Sequence, residues 1–147
     1  KGFREFEPVT AKKTLASAIQ IGDPVSIKRA IRILERFDGI VEQASEQELA
    51  DESARADRTG MFNCPHTGVA LAAFRKLVDR GVIAKKSQVV VISTAHGLKF
   101  AEQKAAYHMG QLAGVRAQFA NLPVELPPDV ERVKDTIREH ADRLAAA

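Results

Sequence analysis

The feature that most constrains this chain is Val89-Val90-Val91-Ile92, four consecutive β-branched residues running straight into Ser93-Thr94-Ala95-His96-Gly97. A strand with one wet face alternates apolar and polar residues. An unbroken run instead suits a strand covered on both faces, as in a parallel sheet packed between helices. The residues around it have helical periodicity. Asp23-Pro24 predicts a helix start followed by Val25, Ile27, Ala30, Ile31 and Leu34, with Gly39 as the stop. Ser45 and Glu48 form a capping-box pair that predicts a helix to about Ala56. An amphipathic stretch from about His66 to Arg80 ends at Gly81. Further helices are predicted from roughly Phe100 to Leu112 and from near Asp129 to the Ala-rich end. Gly39 to Ala44, with Ile40 and Val41, reads as a second short strand, and residues 1–22 as loop and extended segments.

Strands alternating with crossover helices define an α/β chain, helices packed on a mostly parallel sheet. The strands are few for an independent sheet, and the chain opens on Lys1 without an initiator Met or a structural start signal. Residues 1–147 are therefore expected to be the C-terminal segment of a larger domain whose N-terminal half supplies the missing strands.

Composition narrows the function classes. Hydrophobic residues make up 45% and charged residues 28%, ordinary for a globular chain. The net charge of +3 is spread over basic residues mixed with acids, without an aromatic-studded basic strip, so nucleic acid is not an expected partner. No run approaches the roughly 18 apolar residues a bilayer crossing needs, so no membrane partner is expected either. Cys64 is the single cysteine, which rules out a disulfide within the chain and favours a reducing compartment.

Ligands of open α/β sheets bind beyond the C-terminal ends of the strands. Two places qualify: Ser93–Gly97 after the apolar run, and Cys64-Pro65-His66-Thr67-Gly68, where a loop turns into a helix N-terminus. Taken locally, each candidate has an ordinary reading. Thr94 is a turn hydroxyl satisfying its own backbone, and His66 and His96 are capping or turn histidines. Cys64 is a small buried thiol, lacking the flanking residues of known cysteine nucleophiles. Lys99 is a solvated lysine rather than a reactive one. Cys64, His66, His96 and His108 lack the paired spacing of a metal site, so no metal is expected. Neither G-x-G-x-x-G nor a P-loop occurs.

Three longer stretches go further. Thr14–Ser26 (Thr-Leu-Ala-Ser-Ala-Ile-Gln-Ile-Gly-Asp-Pro-Val-Ser), Ala56–Leu71 (including Thr-Gly-Met-Phe-Asn-Cys-Pro-His-Thr-Gly) and Val89–Phe100 (including Ile-Ser-Thr-Ala-His-Gly-Leu-Lys) together resemble plant-type threonine synthases. Phe119–Val124 is similar more loosely, and the likeness runs in order from about Gly2 to the C-terminus. Arg58 departs from the pattern, standing where the family more often has a smaller polar residue.

The resemblance implies a fold-type II, tryptophan synthase β-like enzyme that uses pyridoxal 5'-phosphate to convert O-phosphohomoserine and water into threonine and phosphate. It also implies that the Schiff-base lysine and the glycine-rich phosphate loop lie in the N-terminal half, so this chain holds no catalytic residue of its own and is expected to be inactive alone. Thr94 is then expected to meet the pyridine nitrogen of the cofactor. Ala18, Cys64, Pro65, His66, Thr67, Ser93 and His96 are expected to line the site. The partners implied are O-phosphohomoserine, the N-terminal half and a second copy in a homodimer. The compartment implied is the cytoplasm, or the plastid of a plant or alga. A related pyridoxal-phosphate synthase or lyase, or a non-catalytic interaction module, is the alternative.

Overall fold

The computed structural model describes residues 6–146, so the loop reading of residues 1–5 lies outside the described residues. Five α-helices follow one another: α1 (Ile27–Arg36), α2 (Glu46–Asp57), α3 (Pro65–Asp79), α4 (Ala101–His108) and α5 (Val130–Ala145). Short 3-10 turns at Ser17–Ile19 and Gly97–Phe100 precede α1 and α4.

Local chemistry explains most of the helix ends. At α2 the Ser45 hydroxyl accepts the Glu48 N–H at 3.2 Å while the Glu48 carboxylate accepts the Ser45 N–H at 2.7 Å. This closes the expected box. Asp129 caps α5 by accepting the Arg132 N–H at 2.7 Å. Pro65 takes the first position of α3, where its missing N–H costs nothing. Helix α3 stops in a Schellman arrangement, with Gly81 at φ +72° and the Val82 N–H donating to the Leu77 carbonyl at 2.9 Å.

Three expected helix boundaries move. Pro24 opens a turn by accepting the Ile27 N–H, and the i→i−4 register begins only with Ala30 donating to Ser26, so α1 starts a turn later than Asp23-Pro24 predicts. Its left-handed stop residue is Asp38, at φ +49°, rather than Gly39. Helix α4 ends at His108 instead of Leu112. There Gly110 turns left-handed at φ +69° and the Gln111 N–H donates to the Ala106 carbonyl at 2.7 Å.

The largest correction concerns the sheet. Among the described residues there is no strand, only one isolated antiparallel bridge between Asn63 and His96. Residues 87–94 and 39–44 run without a strand partner, and Val90 and Ile92 are 90% and 75% exposed. A strand exists through its ladder. A run shaped to lie between neighbours forms none where no neighbouring strand is present.

The core that does form joins α2, α4 and the Leu15–Ala16 segment: Ala16, Leu49, Ala50, Ala54 and Tyr107 are buried, with Leu112, Val115 and Phe119 packed on them. Helix α3 crosses α2 closely at Gly68, where a Cβ would meet the Leu49 carbonyl oxygen at 2.3 Å. Leu15 is tied to the start of α2 by its N–H, which donates to the Glu46 carboxylate at 2.8 Å. None of the described helices is long and apolar enough to cross a membrane.

Candidate functional site

The loop leaving α2 turns at Gly60 (φ +86°) and comes back through Phe62, Asn63 and Cys64 to start α3. It is stitched to the segment after the apolar run. The Cys64 N–H donates to the Ala95 carbonyl at 3.2 Å, and the Gly97 N–H to the Phe62 carbonyl at 2.9 Å. Gly97 is required by this approach, because a Cβ there would stand 2.8 Å from the Phe62 ring and 3.0 Å from the Asn63 carbonyl oxygen. The two candidate stretches, about thirty positions apart in sequence, thus form one surface.

Four of the expected residues join in a chain of hydroxyls and one thiol. The Thr67 hydroxyl lies 3.1 Å from the Ser93 hydroxyl and 3.3 Å from the Cys64 sulfur. That sulfur lies 3.7 Å from the Thr94 hydroxyl. Cys64 and Thr67 are almost wholly buried, whereas Ser93 and Thr94 are exposed. Thr94 opens onto a shallow depression bordered by Gly60, Met61, Phe62 and His96. Burial pushes the Cys64 thiol up, but the Thr67 hydroxyl and backbone N–H, then His66 and Thr94, outweigh it and bring the thiol down to about 6.

The histidines are used as orienters. His66 accepts the Ala18 N–H on Nε2 at 2.9 Å, tying the first turn of α3 to the Ser17–Ile19 turn, and its ring meets Phe100 edge-on. His96 accepts the Leu98 N–H on Nδ1 at 3.2 Å and packs edge-on against Phe62. His108 accepts the Asn121 N–H at 3.0 Å, away from this surface, and burial lowers its pKa. Pro65 is buried under the same turn. Ala18 is placed by backbone, Cys64, Thr67, Ser93 and Thr94 by side chains, and Lys99 stands exposed outside the group. Among the described residues no three His, Cys, Asp or Glu side chains are gathered to hold a metal ion.

A second polar cluster, not anticipated from the sequence, clamps the loop from behind. The Lys104 ammonium donates to both Asp57 carboxylate oxygens at 2.8 and 2.6 Å, and to the Ser53 hydroxyl at 2.8 Å. Ser53 donates to the Asn63 side-chain carbonyl at 3.3 Å, and the Asn63 amide nitrogen donates to the Met61 carbonyl at 3.1 Å. Lys104 also sits 5.0 Å from the centre of the Phe62 ring. Burial lowers its pKa, with Asp57 opposing the shift. The signal available in the sequence was the spacing Phe100, Lys104, Tyr107, which places the lysine on the buried face of α4.

Residues 2–95 match the family model described as "Pyridoxal-phosphate dependent enzyme". The chain is 51% identical over 140 residues to Threonine synthase 2, chloroplastic, of Arabidopsis thaliana, covering 95% of this chain and 27% of that protein. It is 26% identical over 140 residues to threonine synthase of Methanocaldococcus jannaschii, covering 95% of this chain and 32% of the relative. With threonine synthase of Methanosarcina acetivorans it shares 37% identity over 99 residues, 67% of this chain and 24% of that protein. The chain therefore spans about a quarter to a third of the length of these relatives. With the family model covering well over half of its residues, Cys64 to Thr94 among them, this chain belongs to the pyridoxal-phosphate dependent enzyme family.

Proposed function

We propose that this chain is the C-terminal segment of a threonine synthase, converting O-phosphohomoserine and water into threonine and phosphate, and that it supplies the C-terminal wall of the site. The observation that carries this reading is the 51% identity to a plant threonine synthase along 95% of the chain. The chloroplastic name of that relative supports a plastid location if the source is a plant or alga; for any other source the proposal is the cytoplasm. A homodimer remains part of the proposal.

The residues present suit one edge of the cofactor. An exposed, neutral Thr94 hydroxyl at an open depression has the right chemistry for a pyridine nitrogen, since it can donate or accept one hydrogen bond and carries no charge. Both lysines near the surface are otherwise placed: Lys104 is held by Asp57 and Lys99 is turned to solvent. The cofactor-bearing lysine and the phosphate-binding loop belong, in this reading, to the N-terminal half. When bound, pyridoxal phosphate supplies an electron sink for charge developing on the amino-acid carbons. A neutral hydroxyl at the ring nitrogen sets the strength of that sink, because it does not hold a proton there as a carboxylate would. Cys64 meets the Thr94 hydroxyl, and Thr67, itself bonded to Ser93, holds Cys64. His66 and His96 fix the backbone of the two turns, and Phe62 and Met61 border the face where the ring would lie.

The N-terminal half also completes the sheet in this proposal. Val90 and Ile92 project almost fully from residues 87–93, and Ile40 and Val41 are 57% and 76% exposed. Runs of this kind between flanking strands bury such side chains on both faces.

The test is phosphate release from O-phosphohomoserine by the full natural polypeptide carrying this segment, loaded with pyridoxal phosphate. Release matched by threonine formation supports the proposal. A bound-cofactor absorbance band without release assigns the chain instead to a related synthase or lyase.

A further inference from the structure

The chain Ser93–Thr67–Cys64–Thr94 has three contacts to fill with hydrogens, and its supply of hydrogens changes with the state of one member. Each hydroxyl brings one hydrogen, and Cys64 brings one only as a thiol. Resting on the reading that Thr94 faces the cofactor, we propose that Cys64 sets whether the Thr94 hydroxyl donates or accepts a hydrogen bond toward the ring nitrogen, with Thr67 as the positioning residue that holds the sulfur.

The counting is short. As a thiol, Cys64 can donate to Thr94 while accepting from Thr67, which in turn accepts from Ser93. Three hydrogens then fill three contacts, and the Thr94 hydrogen is free to point outward at an unprotonated nitrogen. As a thiolate, the sulfur only accepts. Thr67 and Thr94 both turn their hydrogens to it, and Thr94 presents lone pairs outward, suited to a protonated nitrogen. One proton lost to solvent from a buried sulfur thus inverts the polarity of an exposed hydroxyl 3.7 Å away.

The surroundings favour ionisation within the neutral range. His66 spends Nε2 as an acceptor for Ala18, and its imidazole adds to the lowering of the thiol. Behind the loop the Lys104 ammonium of α4 is paired with Asp57 at the end of α2. His96 lies across the Asn63 bridge with Nδ1 held by Leu98. Burial opposes these groups, and the thiol settles at about 6.

Two titrations of the full natural polypeptide test this, using wild type, Cys64→Ser and Thr67→Val, with Thr67→Ser as the conservative rescue. In the cofactor-free protein, thiolate ultraviolet absorbance is followed against pH with Cys64→Ser as the blank. Loss of the Thr67 hydroxyl should raise the midpoint by about one unit or more, and Thr67→Ser should restore it. In the loaded protein, the visible cofactor band should step at the wild-type thiol midpoint, and Cys64→Ser should abolish that step. A thiol midpoint unmoved in Thr67→Val, or a cofactor step identical in Cys64→Ser, overturns the proposal. Failure to take up cofactor at all overturns the functional reading instead, while the first titration still decides the hydrogen-bond chain.

Discussion

Replacing Gly68 by Ala isolates what positions the candidate surface. Gly68 is the residue at which α3 touches the backbone of α2: an added Cβ meets the Leu49 carbonyl oxygen at 2.3 Å, its carbon at 3.2 Å and the Ser53 Cβ at 3.2 Å. Measured against an ordinary separation of about 3.5 Å, relief requires α3 to retreat by about 1 Å. The opposing atom is a helix carbonyl and cannot rotate away as a flexible side chain would. Overpacking of this kind costs about 1–3 kcal/mol, and retreat also thins the contacts around Leu49 and Ala72. Helix propensity runs the other way, since Ala is better than Gly within a helix by about 1 kcal/mol. The steric cost should win, leaving a net loss of about 1 kcal/mol.

The same displacement has a signature at the site. Thr67 is the neighbour of Gly68, and a retreat of about 1 Å takes its hydroxyl from 3.1 Å out of hydrogen-bonding range of Ser93. Urea unfolding of the full natural polypeptide should therefore show a lower midpoint for Gly68→Ala at unchanged slope, together with weaker cofactor retention. Ala70→Gly on the same helix serves as the propensity control, losing about 1 kcal/mol without moving Thr67. If Gly68→Ala instead unfolds at a higher midpoint than wild type, propensity alone governs the position. The argument for a close α2–α3 crossing is then refuted.

Two other perturbations follow from the buried polar groups. Lys104→Met strands the Asp57 carboxylate, whose side chain is 12% exposed, and should cost about 3–5 kcal/mol in the same assay, with part recovered when Asp57→Leu is added. Tyr107→Phe removes the hydroxyl that donates to Asp51 and accepts the Phe119 N–H, and should cost about 1–3 kcal/mol at neutral pH. Burial first, then Asp51, pushes the Tyr107 hydroxyl from 10.0 up to about 12. Its neutral form is therefore the stabilised one. That contribution is complete below 10.0 and is lost as the pH rises toward 12, so the difference between wild type and Tyr107→Phe should shrink over that interval in pH-dependent melts.

What could be read from the sequence was whatever is decided within a few residues. The Ser45–Glu48 box, Pro65 at the head of α3 and Asp129 at the head of α5 all close within one turn, and each stands where its residues say. The start of α1 misled because a proline at a first turn is compatible with a plain turn as well as with a helix. The strand read at residues 87–93 is not formed among the described residues for a different reason, since its residue types describe an environment and its ladder depends on other segments. The stretches holding Cys64, Thr67 and Thr94 were singled out by their places after a strand-like run and before a helix, the resemblance adding an expected role for Thr94, and the Lys104–Asp57 clamp was missed because it joins positions 47 apart. These two outcomes bear on one another. The surface that carries Cys64 and Thr94 is fastened by bonds wholly inside this chain: the Asn63–His96 bridge, the Ser93–Thr67–Cys64 contacts and the Lys104 clamp. The apolar run leading into that surface has no such fastening. A wall preorganised by its own polar bonds, beside an apolar run with no partner among the described residues, is the arrangement the proposed two-part site requires. In that proposal the bonds that fix this chain's functional atoms are its own, and the hydrophobic area of the run is what a neighbouring segment would cover.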